Sequence, residues 1–445
     1  MILRKKDERG GRLNKTFLKS IAKHMTVFAG VLFILWLLLF LSALIPNDAI
    51  RGNMEKSAFY YKERDAFEIT GDSLNSTSDN YADSIWLNVS WNMGRENALK
   101  GSIQTEYYDG EELGENAGLY YTVFESTPPN MDYTRYWHGT AMFIRLFHLF
   151  TDVSGVKIIG FLAFLIFALI SAVILCSRKH WDIAVMLALS LVCVQAWNIR
   201  LSMEYQPAFV VAFAIIPLYL ILERKNDGWL TVLSVISGTL VAFFDFLTTE
   251  TVTILLPLAL VVVIRAKEGR LGNLKETLLL LIKCGVCWIC AYGGAFVVKW
   301  VLASLVSGGG VFETALSSVA ERMGTSVGDY VDEPNSIFSS VASNFSMLFG
   351  GKMRVMAGRT AIGVLLSVLI MFSFWYIFRS EEKKQMASLM LIGIGLIVVL
   401  RYFVLNNHSY IHCFFTFRAL VSLIFALLSA MWINLKMPQK KRGRK

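Results

Sequence analysis

Little of this sequence is charged, few of its residues break helices, and its cysteines avoid the polar stretches. Of 445 residues only 17% are Asp, Glu, Lys or Arg, and there are 8 prolines and 6 cysteines. So little charge excludes a disordered, self-repelling chain. Cys176, Cys193, Cys284, Cys287, Cys290 and Cys413 all lie in or beside apolar runs, so the polar loops have no disulfide framework. Cys284, Cys287 and Cys290 invite a metal reading, but residues three apart drift around a helix axis and no His or carboxylate lies nearby. Small residues for helix packing are the plainer reading. A P-loop, a Rossmann glycine motif and a Ser/His/Asp signature are also missing, which leaves ATP-driven transport and cytoplasmic nucleotide-sugar chemistry without support.

What the chain has is apolar bulk: 55% of it is hydrophobic and 13% aromatic. Apolar runs recur at 25–45, 156–176, 183–197, 209–222, 229–244, 252–264, 278–298, 361–378, 387–403 and 415–435. Most are long enough to cross a hydrocarbon core of about 30 Å; the third, fourth and sixth are short enough to be tilted or partly interfacial. The expected fold is therefore an all-α polytopic membrane protein with about ten transmembrane helices. Residues 1–24 form a basic tail, 25–45 an uncleaved first span, 46–155 a large polar loop, 156–298 spans two to seven, 299–360 a second polar loop, 361–435 the last three spans and 436–445 a basic tail.

Charge sets the expected orientation. Arg4, Lys5, Lys6, Arg9, Arg12, Lys15, Lys19 and Lys23 precede the first span and place the amino terminus in the cytoplasm. Each later even-numbered end is basic too, at 177–180, 223–227, 265–276, 379–384 and the carboxyl tail, so both termini are expected inside a cell membrane. The net charge of +9 then reflects topology and contact with anionic lipid, and no nucleic acid is needed to explain it. Both large loops fall outside.

The first of these loops carries the stretch Ser78–Asn92, SDNYADSIWLNVSWN, with Asp79 and Asp83 four apart and Tyr81 between them. On a helix both carboxylates share a face. Such a pair can split into a charged base and a partner of raised pKa, or can share a divalent cation. Ile85, Trp86, Val89 and Trp91 suit a short helix in the membrane interface, and the stretch 101–124 reads as a strand pair with an acidic turn. From Thr140 the spacing of Met142, Phe143, Leu146, Phe147 and Phe150 predicts an amphipathic surface helix, with Arg135, His138 and Arg145 as its polar residues. Arg135 and His138 would lie at the level of a lipid phosphate.

More polar residues collect at the outer ends of the spans. Asp245 closes the fifth and Glu250 opens the sixth, while Arg401, His408, His412 and Arg418 surround the last outer turn. Arg418 falls inside the tenth span, where a charge costs about 2.5–3.5 kcal/mol and should face a partner or a polar cavity. His408 and His412 have the spacing of metal ligands but lack a third; with the guanidinium groups they suit a phosphate better. The 299–360 segment has the composition of a polar lid.

With DNYADS after the first span, YWHGTAMFIRLF before the second, and FDFLTTETVTILLPL and NNHSYIHCFFTFRAL later, the chain resembles the GT-C class of membrane glycosyltransferases, in a bacterial-type form. The adjacent Asp-Glu pair of the protein mannosyltransferases is not present, and Gly139 and Thr140 stand where a proline pair usually follows the histidine. The resemblance implies a polyprenyl-phosphate-linked sugar donor and a cell-envelope glycan, glycolipid or protein acceptor. It implies Asp79 or Asp83 as general base in an inverting displacement, with Arg418, Arg401, His408, His412, His138 and Arg135 around the phosphate. Asp245, Glu250 and Tyr81 are further candidates, and a divalent cation is a possible companion of the second acid. A lipid flippase and a polysaccharide ligase using a lipid-pyrophosphate donor are the competing readings.

Overall fold

The structure is a computed structural model that describes residues 2–71, 73–95, 97–324, 336–351 and 381–434. The eighth expected span, 361–378, and the carboxyl tail lie outside the described residues.

The elements run as follows: α1 (Ile2–Ala43), α2 (Asn47–Lys62), β1 (Phe67–Ile69), β2 (Thr77–Asp79), α3 (Asn80–Met93), α4 (Ala98–Ile103), β3 (Glu106–Tyr107), α5 (Gly114–Phe124), β4 (Met131–Asp132) and α6 (Ala141–Phe147). Then come α7 (Val153–Ser177), α8 (Trp181–Cys193), α9 (Pro207–Leu222), α10 (Asp227–Phe244), α11 (Val252–Lys267), α12 (Leu274–Ser307), α13 (Val311–Met323) and α14 (Ile337–Met347). After these follow α15 (Glu382–Val404), α16 (Asn406–Ile411) and α17 (Cys413–Asn434). Among the described residues six helices are long and apolar enough to cross a membrane: Leu18–Ala43 of α1, α7, α10, α12, α15 and α17. Shorter apolar helices are α8 and α9, while α11 is buried from Val252 to Ile264 and so forms the inside of the bundle. Helix starts are set locally. Asp152 accepts from the Ser154 and Gly155 amides, and Asn273 and Glu276 cap α12 reciprocally.

The 46–155 segment folds as a cap on one end of the bundle, and three expectations change there. Every residue of α3 except Tyr81 is buried, so it is the core of the cap and not an interfacial helix. Trp86 meets Phe246 edge-on at 4.7 Å between ring centroids, while the Asn88 amide donates to the Tyr108 carbonyl at 3.0 Å. The expected strand pair over 101–124 is a two-residue β3 joined to β4, followed by helix α5, which packs Leu119 and Val123, one turn apart, onto α2 and α3. The surface helix shrinks to Ala141–Phe147: Phe143, Leu146 and Phe150 are exposed, while the polar Arg145 and His148 are buried within the protein and not turned to water. The buried guanidinium is satisfied by acceptors where α1, α2 and α3 meet. Arg145 donates to the carbonyls of Ser42, Ser90 and Ile45 and to Asn47 Oδ1, tying the end of α1 to the cap.

At the opposite end the basic loops meet around one buried carboxylate. Arg178, Arg265 and Arg270 all reach Glu223, which is sealed from solvent.

Candidate functional site

The acids of the Ser78–Asn92 stretch part company. The hairpin of β1 and β2 delivers Asp79 to the N-cap of α3, where its Oδ1 accepts from the Ala82 amide at 2.8 Å. Its other hydrogen bond is to Glu204, in the turn before α9. Burial pushes the Asp79 carboxyl up to about 7, with the Asp83 charge adding to the shift. Glu204 is also held well above the usual carboxylate range, through burial and then the charges of Asp79, Asp245 and Asp83. The turn before α11 brings in a third acid. Asp245 accepts from the Thr248 amide at 2.9 Å and from the Thr248 hydroxyl, and burial pushes it up to about 7.

Asp83, fully buried, takes four donors: Tyr61 Oη at 2.8 Å, Ser202 Oγ at 2.8 Å, the Met203 amide at 2.7 Å and Lys157 Nζ at 2.6 Å. A carboxylate has about four lone-pair sites, so none is left for a substrate proton. Asp83 fastens the cap to α7 and to the turn before α9. Tyr81 points the other way, stacking on Phe67 at 5.9 Å and bonding to Glu115.

The basic residues divide in the same manner. Arg401 grips Glu250 with both ends of its fork, at 2.9 and 3.0 Å, and donates to the carbonyls of Leu247 and Thr248. His408 Nε2 donates to the same Leu247 carbonyl at 2.9 Å, and Leu247 has the left-handed φ of 67° that such a tight turn imposes. Both groups hold the 245–251 turn in place. His138 is likewise committed: buried, with φ 52°, it donates to the Tyr133 carbonyl at 2.9 Å and packs edge-on to Phe246. Burial and then Lys299 push its imidazole well below the usual range.

Four other groups retain donors without a hydrogen-bond partner. They are Arg135 Nε, Arg418 Nε, His412 Nδ1 and the Nε of Arg322 on α13. Arg135 lies over Tyr133 at 4.4 Å and Tyr136 at 5.3 Å, and Arg322 lies over Tyr136 at 5.8 Å, so one aromatic floor carries both guanidinium groups. Arg418 rests on Tyr205 at 4.9 Å and donates to the Asn75 carbonyl at 3.0 Å. Burial, then Arg322 and Arg401, push His412 down to about 4, so its ring is neutral near pH 7. Buried donors with nothing to bind are costly, and several gathered at one place mark a site for an acceptor.

An apolar cleft of about 310 Å3 leads to this end of the bundle between α6, α7, α9 and α10. Phe143, Ile159 and Val210 line it, and it reaches Met203, whose amide holds Asp83 and whose neighbour is Glu204. Among the described residues no group of three His, Cys, Asp or Glu side chains is placed to hold a metal ion.

Sequence reasoning places Glu204 only among the polar residues that follow the third span, not in the site, and misses Arg322, Lys157 and Tyr61. Lys157 carries a readable signal, a lone cation at the start of an apolar run. Glu204 and Arg322 carry none, because each is an ordinary polar residue in a polar turn or loop helix until folding brings it beside its partners. Comparison with protein-family models, with curated proteins and with solved structures finds no match to this chain.

Proposed function

We propose that this chain is a membrane glycosyltransferase that moves a sugar from a polyprenyl-phosphate carrier to a cell-envelope acceptor at the outer face of the membrane. In this reading the bundle has ten spans in a GT-C-like arrangement, both termini lie in the cytoplasm and the cap lies outside. The observation that carries it is a buried carboxyl pair, Asp79 with Glu204, next in sequence to Met203 of an apolar cleft, together with three buried guanidinium groups whose Nε–H has no partner. A lipid-linked sugar has three matching parts: an apolar chain, an anionic phosphate and a hydroxyl-bearing group.

Asp79 acts as general base. With a pKa of about 7 it is half ionised at neutral pH, which suits proton removal from an acceptor hydroxyl attacking the anomeric carbon. The bond from that carbon to the phosphate oxygen breaks as the new glycosidic bond forms, and the phosphate leaves as an anion. One displacement inverts the centre. Arg135, Arg418 and Arg322 stabilise the charge that develops on the leaving phosphate, with His412 as a neutral donor. Asp83, Arg401, His408 and His138 position the surrounding backbone.

The open donors also favour a second reading, a polysaccharide ligase with a lipid-pyrophosphate donor, which needs the arginines and not the acids. Transfer in vesicles from a panel of polyprenyl-phosphate and polyprenyl-pyrophosphate sugars separates the two. The transferase requires the monophosphate and loses about 10²- to 10⁴-fold in rate with Asp79→Asn while still binding donor. Undiminished transfer by Asp79→Asn, or turnover of the pyrophosphate alone, removes Asp79 from the chemistry and leaves the ligase.

A further inference from the structure

The helix that supplies Arg322 has two faces of different character. Helical residues advance by about 100° each, which puts Val311, Ala315 and Arg322 on one side of α13. Val311 and Ala315 are buried, Val311 against Ala303 and Ile103, and Asn407 of α16 donates to the Glu321 carbonyl at 3.1 Å. This side faces the protein. Phe312, Leu316, Val319 and Met323 fall together about 80–140° further round, and all four are exposed, Leu316 by 58%. Ser317, on the far side of that stripe, is exposed as well.

An exposed stripe of four large apolar side chains on one helix calls for a cover. Its neighbour indicates which. α12 is long and apolar enough to span a membrane, and its residues Ile289, Val297, Val301 and Leu305 are exposed, Leu305 by 77%. These side chains face lipid if the helix spans, and α13 begins directly beyond the end of α12. Gly308, Gly309 and Gly310 have φ of 83°, 129° and 82°, backbone that residues with a Cβ rarely adopt, and this turn ends the spanning helix and starts the next. Trp300 and Phe312 pack across it at 5.8 Å between centroids.

We propose that α13 is seated in the lipid headgroup layer, with Phe312, Leu316, Val319 and Met323 in the bilayer and Arg322 turned inward, so that lipid contact sets the position of a guanidinium at the site. The occupant of the stripe is the lipid surface itself, continuous with the lipid around α12. The seating stands independently of the transferase reading; the part played by Arg322 rests on it.

The test is photocrosslinking in vesicles of phosphatidylethanolamine and phosphatidylglycerol, with the full chain carrying Leu316→p-azidophenylalanine. The same probe at Val301 gives the lipid-facing reference and at Ser317 the water-facing one. Mass spectrometry should find lipid adducts at positions 316 and 301, at least tenfold above those at 317. Adducts at 316 no more abundant than at 317, or capture of a second polypeptide there, overturn the seating. Binding of farnesyl phosphate against farnesol in the same vesicles reads the other half. Preference for the phosphate should fall at least tenfold in Arg322→Gln and in the double change Leu316→Asp with Val319→Asp. An unchanged preference with lipid adducts intact overturns the link to Arg322 alone, and no preference in the unaltered protein counts against an anion site and hence against the transferase reading.

Discussion

Replacing Asp83 by Asn should unfold the cap, and replacing Lys157 by Met in the same chain should rescue it. In the native chain Asp83 is sealed from solvent and receives Tyr61, Ser202, the Met203 amide and Lys157. Asn keeps one acceptor oxygen, enough for Ser202 and Met203. Its amide nitrogen then faces Lys157 Nζ and Tyr61 Oη, two donors against a donor. Lys157 also loses its counter-charge, retaining only the Leu201 carbonyl at 2.9 Å. Breaking a buried ion pair from one side costs about 3–5 kcal/mol, because the remaining charge is left without compensation. Removing both charges leaves no such charge, and exchanging a buried pair for apolar groups is often neutral or better. Lys157→Met with Asp83→Asn should therefore regain most of the loss. The assay is unfolding in detergent micelles of the parent, both single variants and the double variant, read as a double-mutant cycle. A single Asp83→Asn variant as stable as the parent would refute the structural role of this carboxylate, as would a double variant no better than the worse single one.

The pH dependence of stability follows from Asp79 and Asp245, whose folded values near 7 lie above the ordinary 3.8. Groups raised on folding contribute stability that is complete below about pH 4 and is lost as pH rises through 7, each carboxyl giving up about 1.4 kcal/mol for every pH unit climbed between those limits. The unfolding midpoint should drop between pH 5 and pH 8, and Asp79→Asn should shrink that drop; a midpoint flat across the range contradicts it. Arg401→Gln should cost about 3–5 kcal/mol by stranding Glu250, and Glu250→Gln added to it should return part of that in the same unfolding assay. Gly238→Ala should loosen the contact of α10 with α12, since a Cβ there would come within 2.6 Å of the Trp288 carbonyl. A loss of about 1–3 kcal/mol is expected, again read by unfolding.

The class of fold is legible in the apolar runs because a membrane allows few alternatives to the helix. The cap is less legible. Strand and helix compete over short aromatic stretches, and Leu119 and Val123 show their helical spacing only once α2 and α3 are there to bury them. Apolar spacing gives a helix face but not what the opposite face meets. In α6 the polar Arg145 goes in to the carbonyls of α1 and α3. Among the site residues, Asp79 and Asp83 stand out by their spacing, yet spacing says nothing about how many donors each collects. Glu204 lies 125 positions from Asp79 and nothing local connects them.

The most direct test of the central claim is native mass spectrometry of the gently purified chain beside Asp79→Asn, looking for a bound lipid. A polyprenyl monophosphate carrying its sugar, retained more fully by Asp79→Asn than by the parent because donor binds and is not consumed, is the expected result. Absence of any isoprenoid phosphate from both proteins would contradict the account.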